Sequence, residues 1–128
     1  MGRNMKKILI VDDESHIRLL LEQTLEDLED EGVELLTADN GEVALEKIKS
    51  EQPNLVFLDV MMPKMNGFDV CNQVKKVLGI QDIYIIMLTA KGQEFDKQKG
   101  ENVGADLYLT KPFDPDEVLS KSQELLAL

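Results

Sequence analysis

The chain has 128 residues, enough for one domain with its own core, and its 43% hydrophobic and 30% charged content is that of a folded globular protein. With 25 acidic and 14 basic side chains the net charge is −11, which argues against direct electrostatic binding to nucleic acid or an anionic membrane surface. A single cysteine rules out an intrachain disulfide and a cysteine-based metal knuckle, and no apolar stretch reaches the ~20 residues of a membrane span.

The first predicted strand, residues 7–11, runs through Ile8, Leu9, Ile10 and Val11 straight into Asp12 and Asp13. A helix is predicted over 15–31, with Ile17, Leu20, Leu21, Leu25 and Leu28 on one face, Ser15 or Asp13 as its N-cap and Gly32 as its stop. The acidic stretch from Glu22 to Glu34 reads as a solvated face. His16 lies on this helix with no second His or Cys to share a metal. A short strand at 34–38 follows, and Asn40-Gly41 opens a second helix that buries Val43, Ala44, Leu45 and Ile48.

Pro53-Asn54 breaks the chain before Leu55, Val56, Phe57 and Leu58, a strand ending at Asp59. After Met61-Met62-Pro63-Lys64-Met65-Asn66-Gly67, a third helix carries Phe68, Val70, Cys71, Val74 and Leu78, with Cys71 a small buried thiol. The strand at 83–88 stops at Thr89. A fourth helix over 93–102 is strongly polar, with Phe95 its main apolar side chain and Gly100 weakening its interior. A strand at 107–109 precedes Lys111-Pro112-Phe113. The last helix, 114–126, has Pro115 in its first turn and buries Val118, Leu119, Leu125 and Leu126.

Short continuous apolar runs rich in branched residues read as buried parallel strands. Five β/α units in this order predict an α/β fold, a doubly wound five-stranded parallel sheet with right-handed crossovers, as a single domain over residues 1–128. In such sheets ligands gather outside the carboxyl ends of the strands. Asp12, Asp13, Asp59, Thr89 and Lys111 all fall at those ends.

Two carboxylates about 4 Å apart repel by roughly 4 kcal/mol at an effective dielectric near 20, a cost that a hard divalent ion removes. An oxygen-rich, partly hydrated site suits Mg²⁺. No G-x-G-x-x-G follows the first strand, no G-x-x-x-x-G-K-[ST] occurs, and neither Asn40-Gly41 nor Asn66-Gly67 has the alternating acids of an EF-hand loop. With the ion bound, Asp59 is the candidate nucleophile toward a phosphoryl group. Lys111 supplies positive charge, Thr89 a hydroxyl, and small Ala90 leaves backbone N–H access.

Val11-Asp12-Asp13-Glu14, Leu58-Asp59-Val60-Met61-Met62-Pro63 with Asn66-Gly67, Leu88-Thr89-Ala90, Gly104-Ala105-Asp106 and Lys111-Pro112-Phe113 together resemble the receiver domain of two-component response regulators, over the whole chain. The resemblance implies a flavodoxin-like three-layer sandwich with strand order 2-1-3-4-5. It implies that Asp59 accepts a phosphoryl group from a phosphohistidine on a sensor histidine kinase or phosphotransfer protein. Asp13, Asp59 and the Met61 backbone carbonyl would bind Mg²⁺ directly, with Asp12 acting through water. Lys111 would hold the phosphoryl group, Thr89 would swing in to hydrogen-bond it, and Tyr108 would be the switch aromatic that turns inward as Thr89 moves. Lys111-Pro112 would be cis. The readout would be the face formed by the fourth helix, fifth strand and fifth helix, whose polar fourth helix suits an element that shifts between two states.

A haloacid-dehalogenase-type hydrolase would use Asp59 as nucleophile but needs a second Asp where this chain has Met61. A pseudo-receiver scaffold would lack part of the acidic or lysine set. A flavodoxin-like electron carrier would need a phosphate cradle in the acidic first loop. The expectation is a cytoplasmic signalling switch rather than an enzyme, with an output domain or target protein as further partner. It is expected as a monomer, with a phosphorylation-dependent homodimer through the switching face as the alternative. Lys97, Glu117, Lys121 and Asp106 fall where the winged-helix transcription-factor branch pairs charges across a dimer, although Leu107 replaces an acidic residue common there. Met61 and Lys91, two residues beyond Asp59 and Thr89, border the approach of hydrolytic water and point to slow self-dephosphorylation.

Overall fold

The computed structural model describes residues 6–90 and 104–128. Five strands, β1 (Lys6–Val11), β2 (Val33–Ala38), β3 (Leu55–Asp59), β4 (Tyr84–Ala90) and β5 (Leu107–Lys111), form one parallel sheet in the order β2-β1-β3-β4-β5. The central strands read as unbroken apolar runs because both faces of the sheet are covered. Side-chain alternation divides each run between two cores. Leu9, Val11, Val56, Leu58, Ile85 and Met87 face helices α2 (Gly41–Glu51) and α3 (Gly67–Asn72). Ile8, Ile10, Leu55, Phe57, Ile86 and Leu88 face helix α1 (Ser15–Leu25) and the C-terminal helix, Pro115–Leu125. Each fully buried Leu, Ile or Phe contributes about 2 kcal/mol, so the three-layer sandwich is anchored at its centre, directly beneath the strand ends.

Caps set the helix starts. Asn40 accepts from Val43 N, Asn66 from Asp69 N and Asp114 from Asp116 N. Helix α1 begins without a side-chain cap at Glu14, so neither Ser15 nor Asp13 plays the role expected of it. It also ends early, at Leu25, and continues as a 3-10 turn over Glu26–Glu31 closed by Gly32 at φ +88°. Like charges at i,i+3 and i,i+4 among Glu22, Glu26, Asp27, Glu29 and Asp30 weaken α-helical continuation, while the tighter turn still buries Leu28. Leu20, expected inside, is exposed.

The third helix departs from expectation in one turn. Residues Gln73–Val77 widen to π geometry, with Leu78 N donating to Gln73 O at 2.8 Å. The extra residue turns Leu78 off the buried face, where it is exposed. Strands β4 and β5 are longer than predicted and carry Thr89 and Lys111 within them. The predicted fourth helix, with Phe95, Lys97 and Gly100, and the neighbouring Lys91 lie outside the described residues. Among the described residues no helix is long and apolar enough to cross a membrane.

Candidate functional site

Register places the site. Val11 pairs with Leu58, Asp59 with Leu88 and Ala90 with Lys111, so Asp12, Asp59, Thr89 and Lys111 emerge at one edge of the sheet. Asp12 is fully buried and pinned on three sides. Its N–H donates to Ala38 O (3.2 Å), its carbonyl accepts from Arg18 Nη1 (2.8 Å), and its Oδ1 accepts from Glu14 N (3.0 Å). Beyond Asp59 the loop folds back, with Val60 N donating to Leu88 O at 3.2 Å and Gly67 N to Val60 O at 2.9 Å. A Cβ on Gly67 would overlap the Asp59 carbonyl oxygen, and one on Gly41 would overlap the Met65 carbonyl oxygen. Both glycines are therefore required for close approach around the loop that carries Met61, beyond their role at helix starts.

The oxygens of Asp12, Asp13 and Asp59 lie within 4.8 Å of one another. Lys111 Nζ bridges two of them, at 2.8 Å from Asp12 Oδ2 and 3.2 Å from Asp59 Oδ1, with Glu14 Oε1 at 3.7 Å. The approach to Asp12 is an ion-pair contact outside hydrogen-bond angles, so the buried Asp12 Oδ2 has no hydrogen-bond donor among the described residues. Three carboxylates, one with a buried oxygen that is ion-paired to Lys111 but lacks an aligned hydrogen-bond donor, form an all-oxygen donor set suited to a hard divalent cation.

Burial, followed by the charge of Asp12 and a smaller contribution from Asp13, pushes the Asp59 carboxyl up to about 7, against the opposing pull of Lys111. For Lys111, burial is the largest single influence and acts downward. Asp12 and Asp59 together outweigh it and raise the ammonium above its ordinary value. Lys111 is thus held charged as the counter-ion of the cluster. Cys71, by contrast, is pushed up to about 12 by burial and stays a protonated thiol packed in the core.

Thr89 is buried at the end of β4. The registers Met87 to Tyr108 and Thr89 to Thr110 put Thr89 and Tyr108 diagonally adjacent on the α2–α3 face of the sheet. Tyr108 is half-buried and packs against that core. Met61 stands two residues past Asp59 and is 63% exposed. Lys111-Pro112 is cis.

Two features escaped the sequence reading. Arg18 holds the Asp12 carbonyl, and nothing in its exposed helical context announces that. Lys75 is buried, with its Nζ at 2.6 Å from Ile83 O, 3.3 Å from Gln81 O and 3.1 Å from Asp106 Oδ2, while Asp106 Oδ2 also accepts from Ile85 N at 2.8 Å. The Asp106 carboxylate, weighed above as a charge for pairing between copies, is thus engaged within its own chain.

Known proteins share this sequence pattern and fold. The family described as response regulator receiver domain matches residues 8–123. The chain is 47% identical over 123 residues to the alkaline phosphatase synthesis transcriptional regulatory protein PhoP of Bacillus subtilis, covering 94% of this chain and 48% of that protein. It is 40% identical over 113 residues to protein PilG of Pseudomonas aeruginosa, covering 88% and 82%. The first relatives in sequence are about twice as long as the stretch this chain spans. Among solved structures, the chemotaxis response regulator CheY4 of Vibrio cholerae superposes with a TM-score of 0.81 at 36% identity, covering 95% of this chain and 99% of that one.

Proposed function

This chain belongs to the response regulator receiver domain family, and on that premise we propose that Asp59 is its phosphoacceptor, that Mg²⁺ is its cofactor and that the fifth-strand face is its readout. Receiver domains of response regulators work with histidine kinases and output domains, so the phosphoryl donor is a phosphohistidine on a sensor kinase or phosphotransfer protein. The observation that carries this reading is the single ammonium of Lys111 spanning the Asp12 and Asp59 carboxylates at the strand ends. An Asp59 oxygen attacks phosphorus, the bond from phosphorus to the donor nitrogen breaks, and the group arrives as an aspartyl phosphate. Asp13, Asp59 and the Met61 carbonyl would hold Mg²⁺ directly and Asp12 through water, and when bound the ion neutralises charge on the phosphoryl oxygens. Lys111 releases its contact with Asp59 to hold a phosphoryl oxygen, and Thr89 turns its hydroxyl toward another. We propose that residues 1–128 act as one such receiver unit, in the cytoplasm, where two-component kinases present their phosphohistidine.

Incubation with Mg²⁺ and acetyl phosphate should add one phosphoryl group, read as intact mass. Excess chelator should reduce uptake by about a hundredfold or more, because converging carboxylates then repel an incoming anion. Uptake undiminished by chelator would refute the metal's role.

The switch is separable from the chemistry. Thr89 moves toward the phosphoryl group and vacates space on the α2–α3 face, into which Tyr108 turns. Tyr108→Ala should therefore take up phosphoryl within about twofold of the natural chain while losing most of the phosphorylation-dependent change in partner affinity, a coupling of about 1–3 kcal/mol. Titration calorimetry with and without phosphorylation measures that coupling. Loss of uptake in Tyr108→Ala would assign Tyr108 to the site instead.

A further inference from the structure

The loop between β3 and α3 carries three methionines within five residues, and the structure treats them differently. Met62 and Met65 are partly buried and pack against the α2–α3 core. Met61 is 63% exposed, and the remaining described methionine, Met87, is fully buried in β4. Among the described methionines Met61 is thus the thioether open both to an oxidant and to a repairing reductase, and its conversion to a polar group disturbs no core packing. It is also two residues beyond Asp59, whose own side chain is almost wholly shielded.

We infer that Met61 is a reversible oxidation site whose sulfoxide shortens the life of the phosphorylated state, an inference that rests on Asp59 as phosphoacceptor. A hydroperoxide is the oxidant. The Met61 sulfur donates a lone pair to the distal peroxide oxygen, an S–O bond forms as the O–O bond breaks, and the remaining oxygen leaves as water or alcohol. Sulfur is oxidised by two electrons and the hydroperoxide is reduced; thiol-dependent sulfoxide reduction reverses the change. A thioether is a weak acceptor and orients water poorly, so the reduced protein holds its phosphoryl group. The sulfoxide oxygen is a strong acceptor at the same place and aligns a water toward the aspartyl phosphate. It takes no proton, so the acceleration is about fivefold, well below the 10²–10⁴ of a positioned general base.

The test uses the whole chain, exposed to limiting hydrogen peroxide, mapped by tandem mass spectrometry, then phosphorylated with acetyl phosphate and followed by intact mass after the donor is removed. Oxygen should appear on Met61 ahead of Met62, Met65 and Met87, and the phosphoryl half-life should shorten about fivefold. Met61→Leu should have the same half-life before and after peroxide, Met62→Leu should keep the response, and Met61→Gln should show fast loss without oxidant. Oxidation of Met62 or Met65 before Met61, an unchanged or longer half-life in the Met61-oxidised protein, or a peroxide response that survives in Met61→Leu would overturn the inference. Failure of the untreated chain to take up phosphoryl at all would overturn the functional reading beneath it, whatever the order of oxidation.

Discussion

Asp59→Asn is expected to make the metal-free protein more stable, by about 2 kcal/mol at pH 8. In the folded chain Asp59 is 5% exposed and faces Asp12, with one lysine shared between the two. Its carboxyl is pushed from 3.8 up to about 7, first by burial and then by Asp12. A folded-state value above the unfolded one means that this group's contribution is fully present below about pH 4 and is lost as pH rises through about 7. At about 1.4 kcal/mol per pH unit the full displacement corresponds to some 4 kcal/mol. That displacement is already net of the pull of Lys111, and the cost of desolvating the asparagine amide beside the lysine ammonium offsets part of the gain. Urea denaturation in chelator should show variant and natural chain equally stable near pH 4, with the gap opening toward neutrality and level above it. A gap that instead widened toward acid would mean that Lys111 overcompensates for the burial of Asp59.

Lys111→Met should act in the opposite direction and more strongly, destabilising the metal-free protein by about 3 kcal/mol at pH 8. Removing one partner of a buried ion pair leaves the other uncompensated, and here two carboxylates are left, Asp12 wholly buried and Asp59 nearly so. The methionine keeps most of the lysine's stem volume, which isolates the effect of charge. Saturating Mg²⁺ should recover much of the loss, so the metal-induced rise in Tm should be larger in this variant than in the natural chain. Stability unchanged by the substitution would show that solvent already screens the cluster. The same variant should bind Mg²⁺ yet lose much of the phosphorylation-dependent switching, since the Lys111 ammonium proposed to hold the phosphoryl group is gone.

The contrast between these two substitutions reflects what could be read from the chain. Unbroken runs such as Ile8 to Val11 and Leu55 to Leu58 mark strands covered on both sides, and a polar residue ending each run marks the functional edge. Those two signals alone bring Asp12, Asp59, Thr89 and Lys111 to one edge, as the strand register does. Strand order is different in kind, because periodicity within a strand says nothing about its neighbours, and it came from the family resemblance. Turn geometry was opaque as well. The apolar helical pattern continues through Glu26–Glu31 and through Gln73–Val77; crowded acidic side chains weaken the first without specifying that it tightens, and no local pattern announces that the second widens. Lys75 looks like any helical surface lysine. Its burial depends on that π turn and on carbonyls of Gln81 and Ile83 that no local pattern brings to it.

The shared lysine and the converging carboxylates make sense together if Asp59 is where a phosphoryl group is carried. Intact mass and tandem mass spectrometry of the chain after incubation with Mg²⁺ and acetyl phosphate, with borohydride reduction to fix the acyl phosphate in place, locate that group. One phosphoryl group should appear, the reduced residue should map to position 59, and Asp59→Asn should take up none. Equal labelling of Asp59→Asn, or a label mapped to Asp12 or Asp13, would contradict the assignment.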